Sequence, residues 1–303
     1  MSTDLTASAE GEATRAEVEP RLQSVEIAKT PISDDLTLDR NAIDAIMAKN
    51  QTKLVVLIGG SRAGKTSLLA VLFHKFLKGA VESVAFAGSE SLPAFARMLA
   101  AISVQNRISR ASMPRTTPSG DYFGVHLKLA HKNRLTDYIF IDISGEMYRD
   151  AGRHASFIPP LKFIRRADFV GLVLDGSKIC NPAKRESEFQ QLFAVTKRLV
   201  DTNTLQPSAE AAIVFTKIDT WDDDSVEPMA AHYSDKLVVS FPWRHIRRID
   251  TAALPRNKEI DDTGLSALLA TIIEAPAFCI SSKGTRVGVS GLPTSWYARF
   301  GTE

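Results

Sequence analysis

KLVVLIGGSRAGKTSLL, residues 53–69, is the stretch that decides the fold of this chain. Its residues 54–58 are apolar and rich in β-branched side chains, which is typical of a buried parallel strand. Residues 67–76 have the composition of a helix. The glycine-rich turn between them is therefore predicted to join a strand to the helix that follows it.

This turn has the residue spacing of a phosphate-binding loop. The pattern G-x-x-x-x-G-K-[ST] runs from Gly59 to Thr66, and the flanking strand and helix disfavour a chance match. At such a turn, free backbone N–H groups and the helix dipole attract an anion, and glycine lets the backbone approach it closely. We expect Lys65 to bridge the β- and γ-phosphates and the Thr66 hydroxyl to bind Mg²⁺. The residues expected to contact the nucleotide here are Gly59, Gly60, Ser61, Arg62, Ala63, Gly64, Lys65, Thr66 and Ser67.

Apolar runs alternate with helical segments along the rest of the chain. This alternation predicts an α/β fold, with a mostly parallel sheet covered by helices on both faces. Residues 125–129 and 138–143 are joined by a short turn, so we expect an antiparallel hairpin at one edge of the sheet. Further strands are predicted at residues 84–87, 169–174, 211–215 and 246–249. Helices are predicted at residues 42–47, 67–76, 91–106, 186–200 and 265–273.

A second motif ends the predicted strand at residues 138–143. Asp142 lies where a carboxylate reaches Mg²⁺ through water, and Gly145 completes the pattern D-x-x-G three residues later. The Gly145 N–H is expected to contact the γ-phosphate and so to detect its presence. D-x-x-G alone is common in turns, but its position after a buried strand and downstream of a phosphate loop favours the functional interpretation.

A third motif, Thr216-Lys217-Ile218-Asp219, closes another apolar run. A carboxylate at Asp219 would accept from the N1–H and amine of guanine, and it would reject adenine, whose hydrogen-bonding edge is the opposite. Lys217 is expected to lay its aliphatic stem over the purine. Thr251 and Ala252 match the weaker last motif of guanine sites, in which a backbone N–H contacts the purine carbonyl.

The second protein ligand of Mg²⁺ is expected in a loop between the phosphate loop and Asp142. Thr116 and Thr117 are the two candidates, because the neighbouring prolines and the lack of periodicity suit a loop that orders over the γ-phosphate. The sequence does not choose between them. A pair of exposed threonines is the alternative.

The motif order GGSRAGKT, RTTPS, DISG, TKID and TAA resembles that of the translation-factor and Ras-like GTPases over about residues 53–275. The FAGSESL segment, the RTTP loop and the DISGE box more narrowly resemble the bacterial double-GTPase group, whose members are encoded in multigene conflict or anti-phage systems. This resemblance implies GTP-dependent switching in an assembly with other proteins. It also implies GTP and GDP as substrate and product, with Mg²⁺ as cofactor.

Two residues depart from this family pattern. Thr216 stands where the guanine motif begins with Asn, and Glu146 stands where Ras-like proteins have the glutamine that orients the attacking water. Glu146 is either a group that acts on water or a salt-bridge partner, so we expect slow hydrolysis without a partner. Arg62 and Arg115 are either internal charge donors or solvated arginines. The residues expected to take part in catalysis are Lys65, Thr66, Gly145 and Glu146.

Composition divides the chain into four parts. Residues 1–20 predict a disordered acidic tail, because they contain too little apolar surface to fold. We expect an N-terminal extension at residues 21–52, a GTPase domain at 53–275 and a C-terminal tail at 276–303. Trp296, Tyr297 and Phe300 make this last tail either a docking element or a segment that packs back on the sheet.

Charge and composition disfavour several classes of protein. The 303 residues carry 37 basic and 35 acidic side chains and a formal charge of +2, which does not indicate nucleic acid binding. No apolar run is long enough to span a bilayer, no secretory signal is recognisable, and Cys180 and Cys279 lack metal or redox spacing. We therefore expect a cytoplasmic protein without direct nucleic acid partners.

Three functions are consistent with these motifs. The first is a regulated GTPase switch that acts with protein partners, including other proteins of the same multigene system. The second is an ATP-using P-loop NTPase or nucleotide kinase, which GTP and ATP competition would distinguish. The third is a guanine-nucleotide-binding module without catalysis, which a measurement of turnover would distinguish.

Overall fold

The computed structural model describes residues 38–49, 51–107, 123–221, 226–241, 243, 246–253 and 264–276. The strands are β1 Thr52–Gly59, β2 Ala85–Gly88, β3 Phe123–His131, β4 Arg134–Asp142, β5 Phe169–Asp175, β6 Glu210–Thr216 and β7 Ile246–Asp250. The helices are α1 Arg40–Lys49, α2 Lys65–Lys78, α3 Leu92–Arg107, α4 Gly145–Arg153, α5 Gly176–Ile179, α6 Arg185–Asp201, α7 Val226–Ser240 and α8 Leu265–Glu274. Short 3₁₀ turns occupy Ala155–Phe157, Pro159–Arg166 and Ile218–Thr220.

The strands form one sheet in the order β2-β3-β4-β1-β5-β6-β7. β1 pairs in parallel with β4 and β5, and parallel pairing continues through β6 to β7. β3 runs antiparallel to both β2 and β4. The predicted fold class is confirmed: antiparallel strands lie at one edge of the mostly parallel sheet. The outermost strand there is β2, and the predicted β3–β4 hairpin lies between β2 and β1.

The sheet is covered on both faces, so the central strands β1 and β5 are buried along their whole length, and residues 54–58 and 169–174 are apolar. Successive residues of β1 alternate between two cores: Leu54 and Val56 contact one, and Val55 and Leu57 contact the other. The first core is closed by helices α1, α4, α6 and α7, and the second by α2, α3 and α8. This double burial explains why the parallel strands were recognisable as continuous apolar runs.

The order of the strands places a crevice at the carboxyl end of β1. The chain leaves β1 toward β2, β3 and β4 on one side, and then crosses to β5 on the other side. Ligands of open α/β sheets bind at such a reversal, outside the carboxyl ends of the strands. The loops after β1, β4, β5, β6 and β7 all open at this edge.

The described residues before β1 also pack on the sheet. Leu38 forms a backbone bridge to Gly124 of β3, and Ile43 of α1 is buried in the first core. α1 packs closely on β3 here, because a Cβ added to Gly124 would lie 2.9 Å from the end of the Ile43 side chain. The second half of the predicted N-terminal extension therefore covers one face of the sheet.

Several predictions fall on residues that the structure does not describe. They concern the acidic tail, the C-terminal aromatic residues, Arg115, and both candidate magnesium ligands Thr116 and Thr117. In the described ranges, no helix combines the length and the apolar character needed to span a membrane.

Candidate functional site

Side-chain donors engage the carbonyl groups of the loop between β1 and α2. Lys65 Nζ donates to the carbonyls of Gly59 and Gly60, at 3.0 and 3.2 Å. Three donors from other parts of the chain take the next three carbonyls. They are Lys178 Nζ on Ser61 at 3.4 Å, Lys217 Nζ on Arg62 at 2.8 Å and Thr216 Oγ1 on Ala63 at 2.8 Å.

This arrangement prepares the loop for an anion. Carbonyl oxygens repel phosphate, but here each carbonyl from residue 59 to 63 has a donor. The first N–H groups of α2 have no acceptor within the helix, and Arg62 and Gly64 have positive φ angles of 62° and 92° that fold the backbone into a concavity. The loop thus presents N–H groups and a helix dipole without exposed acceptors.

Lys65 brings a buried positive charge to the same loop. Its side chain is only 6% exposed, and its ammonium lies 5.8 Å from the centre of the Tyr148 ring. Burial lowers the pKa of Lys65, and the negative charges of Asp142, Glu146 and Glu188 oppose this effect. A bound phosphate would compensate this charge directly.

Thr66 and Asp142 form the pair that is expected to hold Mg²⁺. Thr66 Oγ1 donates to Asp142 Oδ2 at 2.7 Å, which joins the start of α2 to the end of β4. Burial raises the pKa of Asp142, so its carboxylate lies in a site that favours a compensating cation.

The donor set fits Mg²⁺, which binds one or two protein oxygens and takes its other ligands from phosphate and water. Among the described residues, no three His, Cys, Asp or Glu side chains converge as a metal cluster. Thr66 and Asp142 are therefore the described residues that would hold the ion together with a triphosphate.

The D-x-x-G turn lies directly on the phosphate loop. Gly145 is so close that an added Cβ would overlap the Gly60–Ser61 peptide, so this position accepts glycine alone. The next residue, Glu146, accepts a hydrogen bond from the Ser61 hydroxyl at 2.9 Å. Ser144 caps the helix that follows by accepting from the Met147 N–H. Glu146 thus contacts the loop itself in this structure.

A pocket of about 250 Å³ opens beside the loop at the ends of β6 and β7. Its lining combines the start of α2 with the third and last sequence motifs. The lining residues are Gly64, Ser67, Ser177, Thr216, Lys217, Asp219, Thr220 and Ala253. The pocket continues directly from the phosphate loop, as a nucleoside attached to bound phosphates requires.

Lys217 is held along this pocket by two contacts. Its ammonium donates to Asp175 Oδ2 at 2.6 Å as well as to the Arg62 carbonyl. The side chain therefore extends from the end of β6 toward the phosphate loop, and Lys217 is one of the residues that line the pocket. Asp219 lies beyond it in the 3₁₀ turn Ile218–Thr220.

The three residues of the last motif, Thr251, Ala252 and Ala253, have different surroundings in the structure. Thr251 is fully buried, and its hydroxyl donates to the Phe215 carbonyl of β6 at 3.1 Å. Ala252 is also buried, and the residue of this motif that lines the pocket is Ala253. Thr251 and Ala252 therefore position the loop, and Ala253 faces the cavity.

The motif search missed several residues of the site, among them Asp175, Ser177, Lys178 and Glu188. Asp175 ends β5 and accepts from the Ser177 N–H and hydroxyl, at 3.1 and 2.6 Å, in addition to Lys217. Glu188 of α6 binds Lys178 at 2.6 Å and accepts from the Asp175 N–H at 3.2 Å. One signal was available: Asp175 is a carboxylate that follows a buried strand, as Asp142 does.

The predicted site residues within the described ranges come together at one edge of the sheet. The loop of residues 59–67, Asp142, Gly145, Glu146, Thr216, Lys217 and Asp219 all meet there. Arg62 is exposed, with its side chain on the solvent side of the loop. Thr116 and Thr117 lie outside the described residues.

Comparison with known families gives one match, over residues 53–273, to the family model described as DO-GTPase2, Double-GTPase 2. Among solved structures, the bacterial selenocysteine-specific elongation factor EF-Sec is similar with a TM-score of 0.42 and 15% sequence identity. That similarity covers 74% of this chain and 28% of the elongation factor chain, so this chain spans well under half of its length. Comparison with curated proteins gives no match.

Proposed function

Because this chain belongs to the Double-GTPase 2 family, we propose that it is a Mg²⁺-dependent switch that binds and hydrolyses GTP and acts with protein partners. The observation that carries the proposal is the loop of residues 59–63, in which every carbonyl group has a side-chain donor. Such a loop attracts a polyphosphate, and the pocket beside it offers a carboxylate, Asp219, to a base.

The proposed reaction is attack of water on the γ-phosphorus, in line with the oxygen that bridges to the β-phosphate. The bond to this bridging oxygen breaks, GDP leaves with the electron pair, and the proton of water goes to inorganic phosphate. Lys65 and the N–H groups of the loop stabilise the charge that develops on the phosphate oxygens. Mg²⁺ held by Thr66 and Asp142 would add positive charge on the β- and γ-phosphates.

Glu146 gives the reason to expect slow intrinsic turnover. Its carboxylate accepts from Ser61, and a carboxylate beside the γ-phosphate is a poorer positioner of water than an uncharged amide. A partner that moves Glu146 away from Ser61, or adds a positive charge, would accelerate the reaction. The same hydrogen bond supports a second candidate function, a guanine-nucleotide-binding module without catalysis.

Nucleotide competition by calorimetry, with Mg²⁺ present, tests the choice of base. We expect GTP and GDP to bind more tightly than ATP, because Asp219 accepts two hydrogen bonds from guanine and none from adenine. Asp219→Ala should reduce the preference for GTP at least about tenfold. Asp201→Ala removes an exposed carboxylate of α6 and should leave the preference unchanged. Equal affinity for ATP and GTP in the wild-type protein would favour an ATP-using enzyme instead.

Single-turnover hydrolysis separates the switch from the module without catalysis. Wild-type protein should convert GTP to GDP slowly, and Lys65→Ala should not, because the buried ammonium of Lys65 is then absent from the loop. Unchanged hydrolysis in Lys65→Ala would contradict the proposed site. Binding of GTP without turnover, even with proteins encoded beside this chain added, would establish the second candidate.

The partners proposed here are other proteins of a multigene conflict or defence system. Two points support this proposal. The chain belongs to the Double-GTPase 2 family, and hydrolysis that is slow in the isolated chain would need a partner to accelerate it. To test this proposal, each protein encoded beside this chain is added to the hydrolysis assay. We expect at least one of them to increase the rate of GTP hydrolysis, and to bind this chain only when the chain holds GTP.

A further inference from the structure

Among the described residues, four side chains donate hydrogen bonds to the carbonyls of residues 59–63, and Lys178 is the one that belongs to none of the recognised motifs. Lys65, Thr216 and Lys217 all come from motif residues, whereas Lys178 lies in α5, immediately after β5. Its ammonium is 3.4 Å from the Ser61 carbonyl oxygen, which is a long hydrogen bond. Lys178 is therefore beside the phosphate loop without being bound tightly to it.

A buried carboxylate holds Lys178 in this place. Glu188 is 5% exposed, and its Oε2 accepts from Lys178 at 2.6 Å. Its other oxygen accepts from the Asp175 N–H, so the carboxylate is fixed to the end of β5. An added Cβ on Gly60 would lie 3.6 Å from both oxygens, which places the carboxylate next to the loop.

Lys178 also has capacity for another contact. An ammonium group has three N–H donors, and the two described contacts of Lys178 are the strong one to Glu188 and the weak one to Ser61. Its side chain is 29% exposed, in contrast to that of Lys65. An anion arriving at Ser61 therefore meets a cation that can turn toward it without losing its main partner.

The position of Ser61 indicates which anion this would be. The Ser61 hydroxyl donates to Glu146, the residue after Gly145, and Gly145 is expected to detect the γ-phosphate. The Ser61 carbonyl faces Lys178. The hydroxyl of Ser61 therefore contacts the turn that is expected to detect the γ-phosphate, and its carbonyl contacts Lys178.

We propose that Lys178 binds the γ-phosphate of GTP as a positive charge supplied by the chain itself, and that Glu188 is the positioning residue that holds it there. This inference rests on the proposed binding of GTP. It assigns to Lys178 two effects: GTP binds more tightly than GDP, and charge on the γ-phosphate is stabilised during hydrolysis. Lys178 thereby supplies part of what is lost by having Glu146 in place of a glutamine.

The test compares the affinities of GTP and GDP, with Mg²⁺ present, in the full chain and in variants. Lys178→Met should weaken GTP binding about tenfold and GDP binding less than about twofold, since only GTP has the phosphate that Lys178 reaches. Lys178→Gln, which keeps a donor but no charge, should show the same loss. Lys178→Arg should retain most of the difference between GTP and GDP.

Two further variants separate positioning from general charge effects. Glu188→Gln keeps an acceptor for the Asp175 N–H but holds Lys178 less firmly, so it should lower the ratio of GTP to GDP affinity in the same direction. Lys197→Met removes an exposed lysine of α6 that pairs with Asp201, and it should change neither affinity. Single-turnover hydrolysis should fall at least about tenfold in Lys178→Met and stay unchanged in Lys197→Met.

Three results would overturn the proposal. If Lys178→Met and Lys178→Gln each weaken the binding of GTP and GDP equally, Lys178 only holds the Ser61 peptide. An unchanged ratio would mean that it does not reach the γ-phosphate, while the proposed function would stand. Failure of the wild-type protein to bind either nucleotide would overturn the proposed function and this inference together.

Discussion

Thr216 departs from the family motif, but its side chain still bonds to the phosphate loop. Where the family pattern has an asparagine amide, the Thr216 hydroxyl is 2.8 Å from the Ala63 carbonyl and 3.2 Å from that of Leu174. Gly64 is adjacent to Thr216, and its φ of 92° is a backbone conformation that favours glycine. A short side chain with one donor thus suffices to tie the base pocket to the phosphate loop.

Thr216→Val tests this connection, because valine has nearly the same shape and no hydroxyl. Two buried carbonyls lose their shared donor, so we expect the affinities for GTP and GDP to fall together, by about five- to tenfold. Isothermal calorimetry with both nucleotides measures the change. Thr216→Ser keeps the hydroxyl and serves as the control, with affinity within about twofold of the wild type. Equal affinities of the valine and serine variants would show that the hydroxyl does not organise the site.

At the scale of elements, strands were predicted better than helices. The strands of the parallel sheet are buried on both faces, so a run of apolar and β-branched residues marks each of them. Helices α4, α5 and α7 were not predicted as helices, and α5 has only four residues. The α4 sequence, GEMYRDAGR, is short and polar, and its only large fully buried side chain is Tyr148. In α7 a proline stands at position 228 and the apolar residues do not form one clear stripe.

The segment FAGSESL contributes a buried polar network that its sequence did not predict. His126 of β3 is fully buried; its Nδ1 accepts from the Glu90 N–H at 3.0 Å, so Nε2 carries the proton that reaches Asp137 Oδ1 at 2.7 Å. Ser91 Oγ accepts from the backbone N–H of His126 at 2.7 Å. The serine hydroxyl faces the backbone and not the ring, so this Ser-His-Asp set fastens β2 to the hairpin and is not a nucleophilic triad.

Asp137→Ala tests the role of this network. The alanine leaves the Nε2–H of His126 buried without its acceptor, so we expect the free energy of unfolding to fall by about 1–3 kcal/mol. Urea denaturation followed by circular dichroism measures it. Affinity for GTP should be unchanged, because Asp137 lies near the amino end of β4 and the site lies at the other end. Asp235→Ala removes an exposed carboxylate, and it should change stability by less than about 0.5 kcal/mol. Equal stability of the two variants would contradict the structural role.

At the scale of the whole molecule, the sequence placed the motifs that touch phosphate and base because each follows a recognisable strand. It could not place the residues that hold those motifs together. Lys178 and Glu188 act through tertiary contacts between α5, α6 and the loop after β1, and no local pattern encodes such contacts. The motif Thr251-Ala252-Ala253 was recognised in the sequence, but the tertiary structure decides that Ala253 lines the pocket while the Thr251 hydroxyl bonds to β6.

The two ends of the family match also meet in space. Lys53 at the start of β1 donates to the carbonyls of Ile273 and Ala275, both at 2.6 Å, and so holds the end of α8. Burial lowers the pKa of Lys53, while the charge of Asp168 opposes this effect. These contacts lie at the amino end of β1, about 20 Å along the strand from the phosphate loop.

Lys53→Met separates stability from nucleotide binding. Methionine keeps the aliphatic stem but leaves two carbonyls without donors. We expect the stability lost with these hydrogen bonds to exceed the stability gained because a charge is no longer buried. We therefore expect the free energy of unfolding to fall by about 1–3 kcal/mol, measured by urea denaturation. GTP affinity at a temperature where the variant remains folded should equal that of the wild type, because the loop carbonyls keep all their donors. Lys49→Met removes an exposed lysine just before β1 and should alter neither quantity. Loss of GTP affinity in Lys53→Met would show instead that the opposite edge of the sheet is coupled to the site.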